Sequence, residues 1–274
     1  MPAMTEDLAQ VAAAAATCAG DQLRAAFRSH PAMEFKRDRH DPVTEHDRAA
    51  EAAIRRVILD AVPGSRIVGE EGGAIGDGPV DWYVDPIDGT ANFAGGLAFF
   101  CTSVAAVVDG EVVAGAIYDP IRDDLFTAGP GGAFHNGVPL KSAGATAETE
   151  ALLITSYPSP RELRAEGDAA LARLGRFITE FRTTRRPGSA ALSLAHVAAG
   201  WADVALGLSV SAWDVAAGSL LVTRAGGTYL GLRPRGTAAT PSWYGPGYLA
   251  AVGTLDPVGG VLLDAFAATH EVTP

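Results

Sequence analysis

A chain of 274 residues, 48% of them hydrophobic and 19% charged, can bury a large core and gives no compositional case for disorder. That length suits one α/β or layered α+β unit. The formal net charge of -11 argues against nucleic acid or an anionic membrane as the main partner. It would repel a phosphorylated substrate as well, unless a local cation screens the carboxylates.

The Ala-rich N-terminus has no basic flank and carries Glu6 and Asp7, so residues 5–29 read as a helix rather than a secretory signal. A second helix is predicted over 45–62, with Thr44 and Asp47 spaced as in a capping box. "SRIVGEE" (65–71) and "DWYVDP" (81–86) are short buried strands that end in acidic residues. From 98 to 140 the pattern is β, with Asp109-Gly110 between two apolar runs as a hairpin turn. The second half alternates. Strands are predicted at 151–156, at "FITEF" (177–181), at 202–208 and at 247–252. Helices are predicted at 160–174, 188–200, 213–227 and 259–270, the third closed by Gly226-Gly227. With no repeat and no linker, residues 1–274 read as a single unit whose halves, 1–145 and 146–274, stack sheets between helices. No apolar run reaches the ~20 residues that span a bilayer. Cys18 and Cys101 form neither a disulfide framework nor a zinc spacing. These features predict a soluble cytoplasmic protein with reduced thiols.

The stretch "WYVDPIDGTANF" (82–93) leaves an apolar strand and at once supplies Asp85 and Asp88. Other carboxylates also sit at the ends of elements: Glu70 and Glu71 after a strand, Asp214 at the start of a helix. Carboxylates placed in that way can converge on one point, and Mg2+ is the ion that favours oxygen ligands so arranged. Pro86 and Gly89 predict a turn that faces both aspartates to one site and brings in the Ile87 carbonyl. Gly89 and Thr90 then offer backbone N–H groups to a phosphate oxygen. Two divalent ions about 4 Å apart would activate water and offset the charge that repels a phosphate ester. The histidines make no HxH or HExxH pattern, and neither G-x-S-x-G nor a Walker A loop is present.

Together, "DPVTEHD" (41–47), "GEE" (69–71), "DPIDGTANF" (85–93) and "WDVAAG" (213–218) resemble the inositol monophosphatase family of lithium-sensitive, magnesium-dependent phosphatases, over about residues 8 to 268. The resemblance implies an αβαβα sandwich, a homodimer, and hydrolysis of a small phosphate monoester by in-line attack of metal-activated water. It implies two or three Mg2+ ions. Glu70, Asp85 and the Ile87 carbonyl would hold the first; Asp85, Asp88 and Asp214 the second; Glu70 would help hold a weaker third. Asp47 and Thr90 would orient and deprotonate the water, with Glu70 beside them. Gly89 and Thr90 would contact the phosphate, and Gly188, Ser189 and Ala190 would line the organic part of the substrate. Li+ would inhibit. One departure stands out: many inositol-specific members carry an acidic residue where this chain has Gly207.

Blander readings compete at single positions. Asp47 could simply meet a helix dipole, Trp213 could be packing, and Lys36 could be an exposed helix-flanking lysine. Arg185 and Arg186 could form a solvated turn, and Glu71 reads as a supporting carboxylate. Two rival functions exist. Aspartyl-phosphate phosphatases use D-x-D-G-T, but the spacing here is one residue longer. A non-catalytic binding protein would be expected to lose ligands, and none is lost. Within the family, inositol-1-phosphate leads the substrates, followed by histidinol phosphate, fructose-1,6-bisphosphate and 3′-phosphoadenosine-5′-phosphate.

Overall fold

The computed structural model describes residues 2–29, 31–36, 42–238, 240–258 and 260–273. Asp41, the first residue of one motif, lies outside them.

The N-terminal half begins with α1 (Pro2–Thr17) and α2 (Gly20–Ala26), followed by a two-stranded ribbon of β1 (Glu34–Phe35) and β2 (Pro42–Val43). The single helix expected over 5–29 is therefore broken. Its pieces serve different clusters: Leu8, Ala12 and Ala15 pack with Ile54 and Ile58, whereas Leu23 packs with Ile87, Phe93 and Phe100. One straight helix could not reach both. Next comes α3 (Glu45–Ala61), opened by the expected capping box of Thr44 and Asp47. There follow β3 (Arg66–Gly69), β4 (Gly73–Ile75), β5 (Val80–Asp88), α4 (Thr90–Gly95), β6 (Cys101–Val108), β7 (Glu111–Asp119), β8 (Asp124–Gly129), β9 (Gly132–His135) and β10 (Val138–Pro139). They build an eight-stranded sheet, order β10-β9-β8-β7-β6-β5-β3-β4, antiparallel except for the β3–β5 pair. The predicted hairpin joins β6 to β7. Asp109 and Gly110 have φ of 53° and 82°, the positive pair that a two-residue turn between twisted strands requires.

The C-terminal half contains β11 (Leu152–Thr155), α5 (Pro160–Glu166), α6 (Asp168–Glu180), β12 (Thr183–Arg185), α7 (Ala190–Ala198), β13 (Val204–Gly207), α8 (Ala212–Arg224), β14 (Thr228–Pro234), β15 (Gly247–Ala251), α9 (Val261–Phe266) and β16 (His270–Thr273). Its six-stranded sheet runs β12-β11-β13-β15-β14-β16. Two readings are corrected here. "FITEF" is mostly the end of α6, not a strand. Ala170 and Phe177, two helical turns apart, share its buried face, and Phe177 meets Tyr157 and Phe266 at 6.0 and 6.2 Å. Burying such a ring is worth about 1.5–3 kcal/mol, more than the ~1 kcal/mol that β-propensity spans. The helix expected at 259–270 stops at Phe266, and the chain turns to pair β16 with β14 through Leu232 and Val272. β14 itself has no alternating pattern because Tyr229 to Leu232 are all buried, so periodicity misses it.

The layers are helix, sheet, helix, sheet, helix. α1 and α3 cover one face of the eight-stranded sheet, and α7 and α8 fill the space between the sheets. Every residue of β13 and β15 is buried, so the second sheet is covered on both faces, with α5, α6 and α9 completing the outer layer. The central layer is thin because its residues are small. A Cβ on Gly115 of β7 would lie 2.9 Å from the Ala217 Cα, so α8 rests almost directly on the strand. This contact fixes the height of the α8 N-terminus and hence of Asp214. Among the described residues no helix is long and apolar enough to cross a membrane.

Candidate active site

Residues three apart on a regular strand point to opposite faces, so Asp85 and Asp88 should not meet. The strand solves this with an irregularity. Asp85 pairs with Ser103 and Asp88 with Cys101, so three steps along β5 match two along β6. The extra residue turns both carboxylates to one side. The bend is held locally: Ile87 N–H donates to Asp85 Oδ1 at 3.0 Å, and Thr102 Oγ1 donates to the Pro86 carbonyl at 2.9 Å. Gly89 then takes φ of 97° and starts α4 without a side-chain cap, which leaves first-turn N–H groups free at the cleft.

Asp214 arrives from the other half. It is the third residue of α8 and accepts the Ser211 N–H at 2.7 Å. Oxygens of Asp85, Asp88 and Asp214 lie within 4.8 Å of one another. Asp88 is held by Ser189 Oγ at 2.5 Å and Ala191 N–H at 2.6 Å, which ties the start of α7 to the cluster. Glu70 follows β3, its N–H on the Val84 carbonyl, and its charge is among those that act on Asp85. Lys36 Nζ contacts Glu70 at 2.9 Å and Glu71 at 2.5 Å, which places Lys36 beside the acidic residues that follow β3.

Asp47 both caps α3 and reaches Thr90. One oxygen accepts from Thr44 N–H and Oγ1, at 2.8 and 2.6 Å; the other accepts from Thr90 Oγ1 at 2.9 Å. The same Thr90 hydroxyl lies 3.0 Å from the Ile87 carbonyl, so its single proton has two acceptors to choose between. Gly188 and Ala190 line the cleft system, but Ser189 is buried under Asp88 and lines neither cavity. Trp213 packs on the core, as expected, and also lines the cleft. Arg186 turns away to the Tyr157 and Pro158 carbonyls.

One supporting residue escapes the motif reading. Glu51, only 3% exposed, accepts the N–H groups of Glu71 and Gly72 at 2.8 and 2.9 Å and pairs with Arg55 at 2.7 Å. It holds the turn that carries Glu70. Its signal was a charge set into the apolar stripe of α3, between Asp47 and Ile54.

The electrostatics say what the cluster needs. Burial first, then the charges of Glu70, Asp88 and Asp214, push the Asp85 carboxyl well above its ordinary range. Burial and Asp88 do the same to Asp214. Asp88 is pushed up to about 6 by burial, against the hydrogen bonds from Ser189 and Ala191. No Lys or Arg among the described residues pairs with these three aspartates. An all-oxygen, acidic set, buried at Asp85 and Asp88 and half-buried at Asp214, without a protein counter-charge is the donor chemistry of a hard divalent cation. The cleft around it measures about 260 Å3 and continues into a second cavity of about 180 Å3. A larger cavity of about 500 Å3, between β14, α9 and β16, contains none of these residues.

The chain matches the model of the "Inositol monophosphatase family" over residues 4–261. It is 38% identical over 233 residues to "Inositol monophosphatase 2" of Solanum lycopersicum, covering 82% of this chain and 87% of that protein. It is 40% identical over 194 residues to "Nus factor SuhB" of Xylella fastidiosa, covering 70% of each. Among solved structures, the inositol monophosphatase of Anabaena (Nostoc) sp. PCC 7120 superposes with a TM-score of 0.78 at 30% identity over 96% of both chains. The chain belongs to the inositol monophosphatase family, and with it to the phosphoric monoester hydrolases.

Proposed function

We propose that the protein is a Mg2+-dependent phosphatase of small phosphate monoesters, with inositol-1-phosphate first among them. The observation that carries this reading is the meeting of Asp85, Asp88 and Asp214 beside the Asp47–Thr90 pair. Glu70, Asp85, the Ile87 carbonyl, Asp88 and Asp214 would hold two or three Mg2+ ions. Bound there, Mg2+ supplies Lewis-acid charge that lowers the pKa of water and neutralises the phosphate oxygens.

The chain's own groups do the rest. First-turn N–H groups of α4, at Gly89 and Thr90, receive a phosphate oxygen. Thr90 Oγ1 donates to Asp47 and offers its lone pairs to the attacking water, so a proton can pass from water to Thr90 as Thr90 passes its own to Asp47. Burial raises the Asp47 carboxyl, partly countered by Thr44 and Thr90, which makes it the better proton acceptor. Attack is in line and direct, with no phosphoenzyme. Gly188 and Ala190 border the organic part of the ester.

The test is phosphate release by purified protein, with and without Mg2+, on inositol-1-phosphate, histidinol phosphate, fructose-1,6-bisphosphate and 3′-phosphoadenosine-5′-phosphate. Mg2+-dependent turnover, inhibited by Li+, is expected. A trapped phosphoenzyme would overturn the direct attack. Mg2+ binding without turnover on any ester would favour a binding role, of the kind the Nus factor name of several relatives suggests. We further place the protein in the cytoplasm as a homodimer, which light scattering of the purified chain tests.

A further inference from the structure

The second cavity, about 180 Å3, shares Asp88, Gly188, Ser209 and Asp214 with the acidic cleft. It is where the organic part of a bound ester must extend. Gly207 at its wall contributes no side chain, and a Cβ there would stand 2.7 Å from the Tyr248 ring. That ring occupies the space instead, stacked on Tyr229 at 6.0 Å and 5°. Tyr248 is 3% exposed, and its hydroxyl has no hydrogen-bond partner among the described residues. The charges that act on it are Asp88 and Asp214.

The cavity's own charge is Glu162 of α5, 8% exposed. Ser159 N–H donates to its Oε2 at 2.7 Å and Ser209 Oγ to its Oε1 at 2.5 Å. Burial raises this carboxyl, but the two serines and nearby Arg161 outweigh it and hold Glu162 below the ordinary glutamate value. It is an anion at neutral pH. No Lys or Arg lines the cavity, and Glu162 makes no ion pair among the described residues. Each oxygen has one donor and spare acceptor capacity. A buried carboxylate so placed is costly unless further donors reach it. Helix capping alone accounts for Oε2 but leaves unexplained why Oε1 and the free Tyr248 hydroxyl share one cavity next to the phosphate site.

We propose that Glu162, assisted by the Tyr248 hydroxyl, determines substrate specificity by accepting hydrogen bonds from donor groups on the organic part of the ester. This deepens the phosphatase reading and rests on it. The donors are hydroxyls of a polyol phosphate or the ammonium of an amino-alcohol phosphate; both donate hydrogen bonds to a carboxylate, and only the ammonium adds a charge.

The test compares three esters on wild type, Glu162→Ala, Glu162→Gln and Tyr248→Phe, with Mg2+ present. Inositol-1-phosphate brings hydroxyls, histidinol phosphate brings an ammonium, and 4-nitrophenyl phosphate brings no donor. Glu162→Ala should lower kcat/KM on the preferred donor-bearing ester by about tenfold or more, mainly through KM. Turnover of 4-nitrophenyl phosphate should stay within about twofold. Glu162→Gln, which keeps an acceptor and loses the charge, should retain most activity if the donor is a hydroxyl and little if it is an ammonium. Tyr248→Phe removes one oxygen and should raise KM on the donor-bearing ester alone, which serves if Glu162→Ala does not fold. Equal losses on all three esters would show a purely structural role and overturn the assignment; so would unchanged KM values across the variants. Wild-type protein inactive on every ester would instead overturn the phosphatase reading, and this assignment with it.

Discussion

Asp85 carries more of the site than any other residue. It faces Asp88, Asp214 and Glu70 at once, and its burial leaves water little access. Asp85→Asn keeps the Ile87 N–H bond through its side-chain carbonyl and removes one anion from a crowded cluster. We expect kcat/KM to fall by at least about 100-fold, since the proposed metal positions would lose a ligand they share. The melting temperature of the metal-free variant should stay level or rise, because repulsion is relieved. Near-full Mg2+-dependent turnover by this variant would refute the site assignment. Much at this scale was legible in the sequence: Asp85, Asp88, Glu70 and Asp214 announced themselves by type and spacing. Ser189 did not. The family resemblance implied a substrate contact there, and only the fold shows its hydroxyl spent on Asp88.

At the scale of elements, site geometry depends on how closely α8 approaches the eight-stranded sheet. Gly115 and the small Ala217 let helix and strand backbones nearly touch, and Asp214 sits in the first turn of that helix. Gly115→Ala would place a Cβ 2.9 Å from the Ala217 Cα, where neither backbone can yield cheaply. We expect a loss of about 1–3 kcal/mol in denaturant unfolding, typical of overpacking, together with reduced turnover as Asp214 shifts. A variant as stable and as active as wild type would show that the contact does not position the helix. The elements that sequence reading found were those with local signals: the capping box at Thr44, the turn at Asp109-Gly110, the glycine stop of α8. Those it lost were decided by partners. α6 runs on through Phe177 because Tyr157 and Phe266 wait there, and β16 exists because β14 offers an edge.

For the whole molecule, one apolar cluster spans both sheets, joining Tyr83, Ile117 and Phe126 of the first to Leu153, Leu206 and Leu249 of the second. We propose that residues 1–274 unfold as one unit, with a single transition by heat. The acidic cluster should set its pH dependence in metal-free protein. Asp88 has an ordinary carboxyl value when unfolded and about 6 when folded, and Asp85 and Asp214 are raised too. The native state thus holds more protons than the unfolded state above the ordinary carboxyl range, so stability falls as pH rises through about 6. Added Mg2+ should reverse this by binding the native state. Calorimetry in chelator at several pH values, repeated with Mg2+, checks it. Two separate transitions would refute the single unit, and a stability rising through that range without metal would refute the electrostatic account.

By itself, the sequence determined the chemistry: which carboxylates, in which order, next to which glycines and threonine. Those choices are local, because a turn needs Gly89, a cap needs Thr44, and a hard cation needs oxygens wherever they come from. What only the tertiary structure decided is convergence. The bend between Asp85 and Asp88 depends on pairing with β6, Asp214 arrives because α8 lies flat on Gly115, and Glu162 reaches the second cavity from a helix whose only local signal is its capping box. Each of these joins residues far apart in the chain, and the packing energy that brings them together belongs to pairs of elements rather than to any one stretch of sequence.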